Sequence, residues 1–215
     1  MGTGFWAPDN FHLIFVDSGK KAYSIGADGN GLREFPPIGG NPDNMLWSRD
    51  QKSIYANTAE GLQGMNMMGS IWKWNVDGSK LEKVVDSCCV LEDIDPKGQY
   101  LLGTVFVGDK SGIYEVSLAE KKCIPLVSGV VTVTAIFEQD GRSFLYAIAS
   151  PHEVIIYRQP WSEGKLSGPR QVALKLPFTF AFGYSGNAYD FSRDLSTIVY
   201  ARPGGHADLY LLTQK

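Results

Sequence analysis

Residues 46–57 read LWSRDQKSIYAN, and residues 190–201 read DFSRDLSTIVYA. Aligned on the aromatic residue, Trp47-Ser48-Arg49-Asp50 matches Phe191-Ser192-Arg193-Asp194. Two more copies are Trp6-Ala7-Pro8-Asp9 and Phe137-Glu138-Gln139-Asp140-Gly141, and a more degenerate one is Ile94-Asp95-Pro96-Lys97-Gly98. An apolar strand follows each: Leu13-Ile14-Phe15, Ile54-Tyr55-Ala56, Tyr100-Leu101-Leu102, Phe144-Leu145-Tyr146 and Ile198-Val199-Tyr200. A second strand then recurs at a similar offset, as in Ala22-Tyr23-Ser24-Ile25, Ile71-Trp72-Lys73-Trp74 and Ile113-Tyr114-Glu115-Val116. After these three comes a turn and another short strand (ADGNGLREF, VDGSKLEKVV, LAEKKCIPLV).

Each full copy is therefore strand, tight turn, strand, loop, strand, turn, strand. Four-stranded units of roughly 40–45 residues are the signature of β-propeller blades. One small antiparallel sheet cannot cover both its faces, whereas sheets stacked around an axis cover one another. A β-sandwich is the rival architecture, but it does not account for a five-fold repeat. The chain reads as all-β and as one domain, 1–215: a propeller of about five four-stranded blades, a complete ring or a partial, open one. The blade hairpins are expected to start near residues 3, 44, 90, 132 and 187.

The turns carry their own chemistry. Carboxylates of Asp9, Asp50, Asp140 and Asp194 are placed to accept a backbone N–H within their own turn. Gly98 and Gly141 supply the left-handed residue that closes the turn. Gln51 and Leu195 stand at the equivalent place, where a side chain costs about 1 kcal/mol. Their turns are expected to be of another type.

Hydrophobic residues make up 44% of the 215, charged residues 20%, and the net charge is −3. That balance excludes disorder and gives no basic block for nucleic acid. No segment approaches the roughly 18 apolar residues of a membrane span. The first ten residues, MGTGFWAPDN, lack the pattern of a signal peptide. The compartment stays open, and a parent protein could be anchored in a membrane. The three cysteines, Cys88, Cys89 and Cys123, are odd in number and lack metal-ligand spacing, so they are expected to be reduced and buried.

The hairpin W-[SA]-x-D-x-x-x-[IL], followed by the strand I-[WY]-x-[VW]-x-x-D-G, resembles the WD40-like repeat of TolB-type propellers. Residues 176–212, LPFTFAFGYSGNAYDFSRDLSTIVYARPGGHADLYLL, resemble the final blade of sensor propellers attached to bacterial Ser/Thr protein kinases. No kinase motif is present: the chain has no Gly-rich loop with a strand Lys, no H-R-D and no D-F-G. The resemblance implies a sensory or binding module rather than phosphoryl transfer. One departure concerns closure. The last copy stops after its third strand at LLTQK, so closure by strand exchange is not expected. The chain is then either a piece of a longer parent or a self-contained five-bladed ring. In an open ring, exposed sheet edges would promote self-association.

No catalytic, cofactor or metal motif emerges. His12, His152 and His206 read as strand or turn residues. GYSGN (183–187) lacks the last glycine of a nucleophile elbow, and DIDPKG (93–98) lacks the remaining ligands of a calcium loop. What remains is surface. The positions just before the repeat anchors bring Glu92, Asp93, Tyr189 and Asp190 to the channel mouth as an acidic rim. Met65, Met67 and Met68 lie on a Gly-rich insertion suited to an adaptable apolar contact. Trp161, in QPWSEGKLSGPR, is expected at the surface. The reading is a non-catalytic module that binds an unidentified protein or small molecule. The alternatives are a propeller hydrolase or lyase using a metal or carboxylates at the channel, and a repeat fragment that self-assembles.

Overall fold

The computed structural model describes residues 4–58, 68–105, 108–132, 134–150, 153–176, 189–202 and 208–213, all as strands and their connections. Blade 1 is β1 (Gly4–Trp6), β2 (His12–Val16), β3 (Ala22–Gly26) and β4 (Arg33–Glu34). Blade 2 is β5 (Pro42–Trp47), β6 (Ser53–Thr58), β7 (Ile71–Asn75) and β8 (Leu81–Val85). Blade 3 is β9 (Val90–Ile94), β10 (Tyr100–Val105), β11 (Gly112–Ser117) and β12 (Lys122–Ser128). Blade 4 comprises β13 (Ala135–Phe137), β14 (Ser143–Ala149), β15 (Val154–Ser162), β16 (Lys165–Leu166) and β17 (Gln171–Leu176). Blade 5 shows β18 (Tyr189–Phe191), β19 (Thr197–Arg202) and β20 (Asp208–Thr213).

Every sheet is an antiparallel meander in sequence order, except that β15 pairs with both β16 and β17. Among the described residues, the sheets do not join edge to edge into a barrel. They stack face to face, giving four cores among the described residues, and blades 2, 3 and 4 are apolar toward both neighbours. Along β10, Leu101 enters the core shared with blade 2, and the next residue, Leu102, enters the core shared with blade 4. Along β14, Phe144 and Tyr146 face blade 3, while Leu145 and Ala147 face blade 5. Period-2 alternation with apolar residues in both phases is what a sheet buried on two sides requires. The arrangement is an open or partial β-propeller.

The repeat anchors sit in these cores. Trp47, Ile94, Phe137 and Phe191 are all buried, each against the preceding blade. Trp6, the anchor of blade 1, is 58% exposed.

All five hairpin turns have one geometry. Asn10, Gln51, Gly98, Gly141 and Leu195 have φ between 57° and 69°. Each donates its backbone N–H to the carbonyl three residues back, Gln51 to Ser48 at 3.0 Å and Leu195 to Ser192 at 2.9 Å. The expectation of a different turn at Gln51 and Leu195 is therefore corrected. A turn aspartate accepts an N–H from two residues on: Lys52 to Asp50, Arg142 to Asp140 and Ser196 to Asp194. Asp9 does the same with Phe11. Those bonds hold the loop against a left-handed cost of about 1 kcal/mol at Gln51. Leu195 also buries its side chain in the core between blades 4 and 5.

The cysteines correct the sequence reading a second time. Cys88, in the crossing from β8 to β9, is disulfide-bonded to Cys123 on β12, with a Cα–Cα distance of 5.8 Å. The bond ties the inter-blade crossing to the outermost strand of blade 3. Cys89 is the free, buried thiol, and burial pushes its pKa far up. Gly103 makes room for it: a Cβ there would lie 2.3 Å from the Cys89 Sγ and 2.5 Å from the Val90 carbonyl oxygen.

Candidate functional site

The innermost strands β1, β5, β9, β13 and β18 begin the blades, and β9 packs against both β5 and β13. The residues at their ends meet near the axis, and Asp93 is the hub. Its Oδ1 and Oδ2 each lie 2.6 Å from a guanidinium nitrogen of Arg193, a bidentate pair. Oδ2 also accepts the backbone N–H of Phe137 at 2.8 Å, and Oδ1 lies 3.4 Å from a nitrogen of Arg49. Arg193 further donates to the Phe137 carbonyl at 2.7 Å, and Arg49 to the carbonyls of Ile94 and Asp95. One carboxylate thus links blades 2, 3, 4 and 5. The two arginines are the R of the two S-R-D hairpins, so the closest repeat copies share an inter-blade role. Asp93 is not on the acidic rim that the sequence predicts: the structure buries it, with two cations and an amide compensating its charge.

Glu92 lies beside it on β9, at a shift in the register with β10. Its Oε1 accepts the Thr104 hydroxyl at 2.8 Å. Burial of the carboxyl, with the charges of Asp93 and Asp190 nearby, pushes its pKa up to about 8. Near neutral pH Glu92 is therefore largely protonated and able to donate a hydrogen bond. Asp190 is exposed and accepts the Phe191 N–H at 2.8 Å. Asp190 thus lies near enough to Glu92 for its charge to bear on that carboxyl. Tyr189 pairs with Tyr200 through β18 and β19.

A pH dependence follows. The folded chain holds the Glu92 proton more tightly than an unfolded chain, whose carboxyl titrates near 4.5. The resulting stability is fully present below that value and is lost as pH rises through about 8. Denaturant midpoints of wild type are expected to fall across this window, and those of Glu92→Gln to fall much less. Parallel curves for the two proteins would mean that Glu92 is ionised throughout.

Trp161 is a correction. It is 4% exposed and belongs to the core between blades 3 and 4, edge-on to Phe137 with ring centroids 5.0 Å apart. Its indole N–H donates to Glu115 at 2.6 Å, while burial pushes the Glu115 carboxyl pKa up. The polar, Gly- and Pro-rich segment reads as a loop, yet β15 runs on through Trp161 and turns back at Glu163-Gly164 into β16. Met68 is half-buried against the core between blades 2 and 3; Met65 and Met67 lie outside the described residues.

Other polar groups noted in the sequence are engaged within the protein. Asp95 of DIDPKG accepts the N–H groups of Lys97, Gln99 and Tyr100, so the turn itself uses that carboxylate. His12 lies 2.7 Å from Asp9, whose carboxyl is held down to about 2 by hydrogen bonds from His12 and Phe11. His152, His206 and GYSGN lie outside the described residues. The sequence reading missed Arg49 and Arg193. Their recurrence in S-R-D was the available signal, but it was absorbed into the turn. Among the described residues, no helix is long and apolar enough to cross a membrane.

No protein-family model and no curated protein sequence matches the chain. Solved structures do. TolB from Acinetobacter baumannii is similar over 95% of this chain and 50% of its own, with TM-score 0.67 and 16% identity. A putative TolB from Agrobacterium tumefaciens is similar over 99% of this chain and 77% of its own, with TM-score 0.70 and 12% identity. Hydrazine synthase from Kuenenia stuttgartiensis is similar over 91% and 60%, with TM-score 0.62 and 13% identity. The chain spans half the length of the first of these. Its fold is that of a TolB-like β-propeller.

Proposed function

We propose that this chain is a non-catalytic binding module whose ligand, a protein or a small molecule, meets the channel mouth at Glu92 and Asp190. The fold alone does not choose between binding and catalysis, because it is shared by proteins named TolB and by a synthase. The observation that carries the reading is the use made of the buried carboxylates. Asp93 is held by two arginines and an amide, Asp95 by its turn, and Glu115 by an indole. These groups are spent on joining and shaping blades, so they are not poised as a general acid and base or as a set of metal ligands. Glu92 and Asp190 remain, a hydrogen-bond donor beside an exposed anion, which suits recognition of a polar or cationic group.

The resemblance of residues 176–212 to kinase-linked propellers extends the proposal: the module is the sensor or interaction part of a longer bacterial signalling protein. A full reading frame carrying an upstream kinase and a membrane span would support that extension; a stand-alone frame would count against it. For the binding role, the purified chain is assayed on lactones and glycosides with added divalent metals, beside cross-linking capture of partners by wild type and Asp190→Lys. The expected result is no turnover and a captured partner that the variant loses. Turnover abolished by Glu92→Gln would sink the reading.

A further inference from the structure

We infer that the cleft between blades 2 and 3 is a binding site for a small aromatic carboxylate, separate from the channel mouth, in which the ligand's ring takes the place that Trp161 fills between blades 3 and 4. Two interfaces of one repeat differ here at a single place. In blade 4 the Trp161 backbone N–H donates to the Arg142 carbonyl, just after the turn glycine Gly141. In blade 3 the Leu118 N–H donates to the Gln99 carbonyl, just after Gly98. Leu118 is therefore the blade 3 counterpart of Trp161. The facing positions on the preceding blade correspond as well. Leu102 pairs with Glu115, one residue past Leu101, which pairs with the anchor Ile94. Tyr55 pairs with Lys73, one residue past Ile54, which pairs with the anchor Trp47.

Between blades 3 and 4 the place is filled. Trp161 lies edge-on to Tyr100 and Phe137, with ring centroids 5.3 and 5.0 Å away, and its indole N–H donates to Glu115 at 2.6 Å. Between blades 2 and 3 the leucine has neither the reach nor a polar hydrogen. A cleft of about 430 Å³ is left, lined by Tyr55, Lys73, Gln99, Ser117 and Leu118 among others. That volume lies within the range of small-molecule sites.

The polar groups facing this cleft are unspent. Lys73 makes no ion pair among the described residues, and its Nζ lies 5.8 Å from the centroid of the Tyr55 ring. Its cross-strand neighbour Glu82 is paired with Lys121 and Lys80, and Asp50 accepts the Ser48 hydroxyl and the Lys52 N–H. Tyr55 is 4% exposed, and its hydroxyl has no hydrogen-bond partner among the described residues. The Trp72 Nε1 is the sealed, unpartnered side-chain polar atom of those residues, so the Tyr55 hydroxyl keeps an opening, and the cleft is where Tyr55 has one. Burial pushes its pKa up to about 12, so it is a donor at neutral pH. An ammonium and a phenol without acceptors, beside a space that an indole occupies elsewhere in the repeat, select an anionic acceptor carried on a planar ring. The polarity reverses that of the filled interface, where an indole N–H meets the Glu115 carboxylate.

The test is isothermal titration calorimetry of the purified chain with indole-3-carboxylate and with its uncharged counterpart, indole-3-carboxamide. Wild type is expected to bind the carboxylate at one site, and the amide about 10- to 100-fold more weakly, the worth of a charge-assisted hydrogen bond. Lys73→Met is expected to weaken carboxylate binding by a similar factor, while Lys165→Met, which removes an exposed lysine of β16, binds as wild type does. Leu118→Trp restores the residue found in blade 4 and is expected to abolish binding while keeping a cooperative thermal transition. Thermal denaturation checks the fold of each variant. Wild type that does not bind the carboxylate at millimolar concentration would overturn the inference, as would binding indifferent to Lys73→Met or retained in Leu118→Trp. Equal losses in Lys73→Met and Lys165→Met would show diffuse charge attraction in place of a site, and equal affinity for the amide would remove the anion from the recognition; either result overturns it too.

Discussion

Asp93→Asn is expected to lower the stability of this protein by about 2–4 kcal/mol, because it strips the shared charge from two arginines that converge on it. Asp93 is nearly buried, with 7% of its side chain exposed, and it lies between Arg193 at 34% and Arg49 at 31%. A fully buried pair broken on one side would cost more; the partial exposure of both guanidinium groups lets water compensate some of the loss. Asparagine keeps the shape, so the effect reads charge rather than volume. For a chain of this size the melting temperature falls by roughly 2–4 °C for each kcal/mol. Asp190→Asn is the control, an exposed carboxylate on the neighbouring strand end, and should shift the midpoint little. Equal shifts for the two variants would mean that the bidentate pair contributes no more than a surface charge. Because the partners of Asp93 come from blades 2, 4 and 5, the loss should appear as one cooperative shift of the whole transition.

Reduction of the Cys88–Cys123 disulfide is expected to cost about 4 kcal/mol, the loop-closure entropy for a bond across 35 residues. Cys123→Ser should match it, since Cys123 is the half-buried partner and serine leaves the smaller polar penalty. The measurement is the denaturant midpoint with and without reductant, paired with a thiol count in denaturant. One thiol should titrate before reduction, Cys89, and all three cysteines after it. Three thiols in untreated protein, with a midpoint indifferent to reductant, would show that the sulfurs are not bonded. The bond clamps the crossing between blades 2 and 3 onto β12, and Lys121, just before that strand, pairs with Glu82 of β8 at 2.5 Å. Its loss should therefore loosen that junction before the axis, and hydrogen exchange along β12 would report it.

The blade architecture was legible because a local code repeats. An aromatic anchor, an aspartate three residues on, and an apolar strand state the hairpin in four copies, and these with the degenerate copy at Ile94 state the stack. The left-handed turns at Gln51 and Leu195 were misread for a physical reason: intrinsic cost argued for another turn, while the Asx hydrogen bonds and the register of the strands impose the same one. At the axis, composition pointed to carboxylates but not to their state. Asp93 and Glu92 are adjacent in sequence, yet a register shift in the β9–β10 pairing leaves Asp93 opposite Leu102 and Glu92 without a partner in the ladder. One meets two arginines and is held as an anion; the other meets Thr104 and protein interior and keeps its proton.

The sequence by itself determined what is local and periodic here: the strands of each repeated hairpin, where their turns fall, the order of the blades and the row of anchors, because each depends on neighbours a few residues away. Only the tertiary structure decided the joining of Cys88 to Cys123, the burial of Trp161 and the meeting of Arg49, Asp93 and Arg193. Those contacts span 35 to 100 residues and follow from how successive sheets are rotated around a shared axis, which no single repeat encodes.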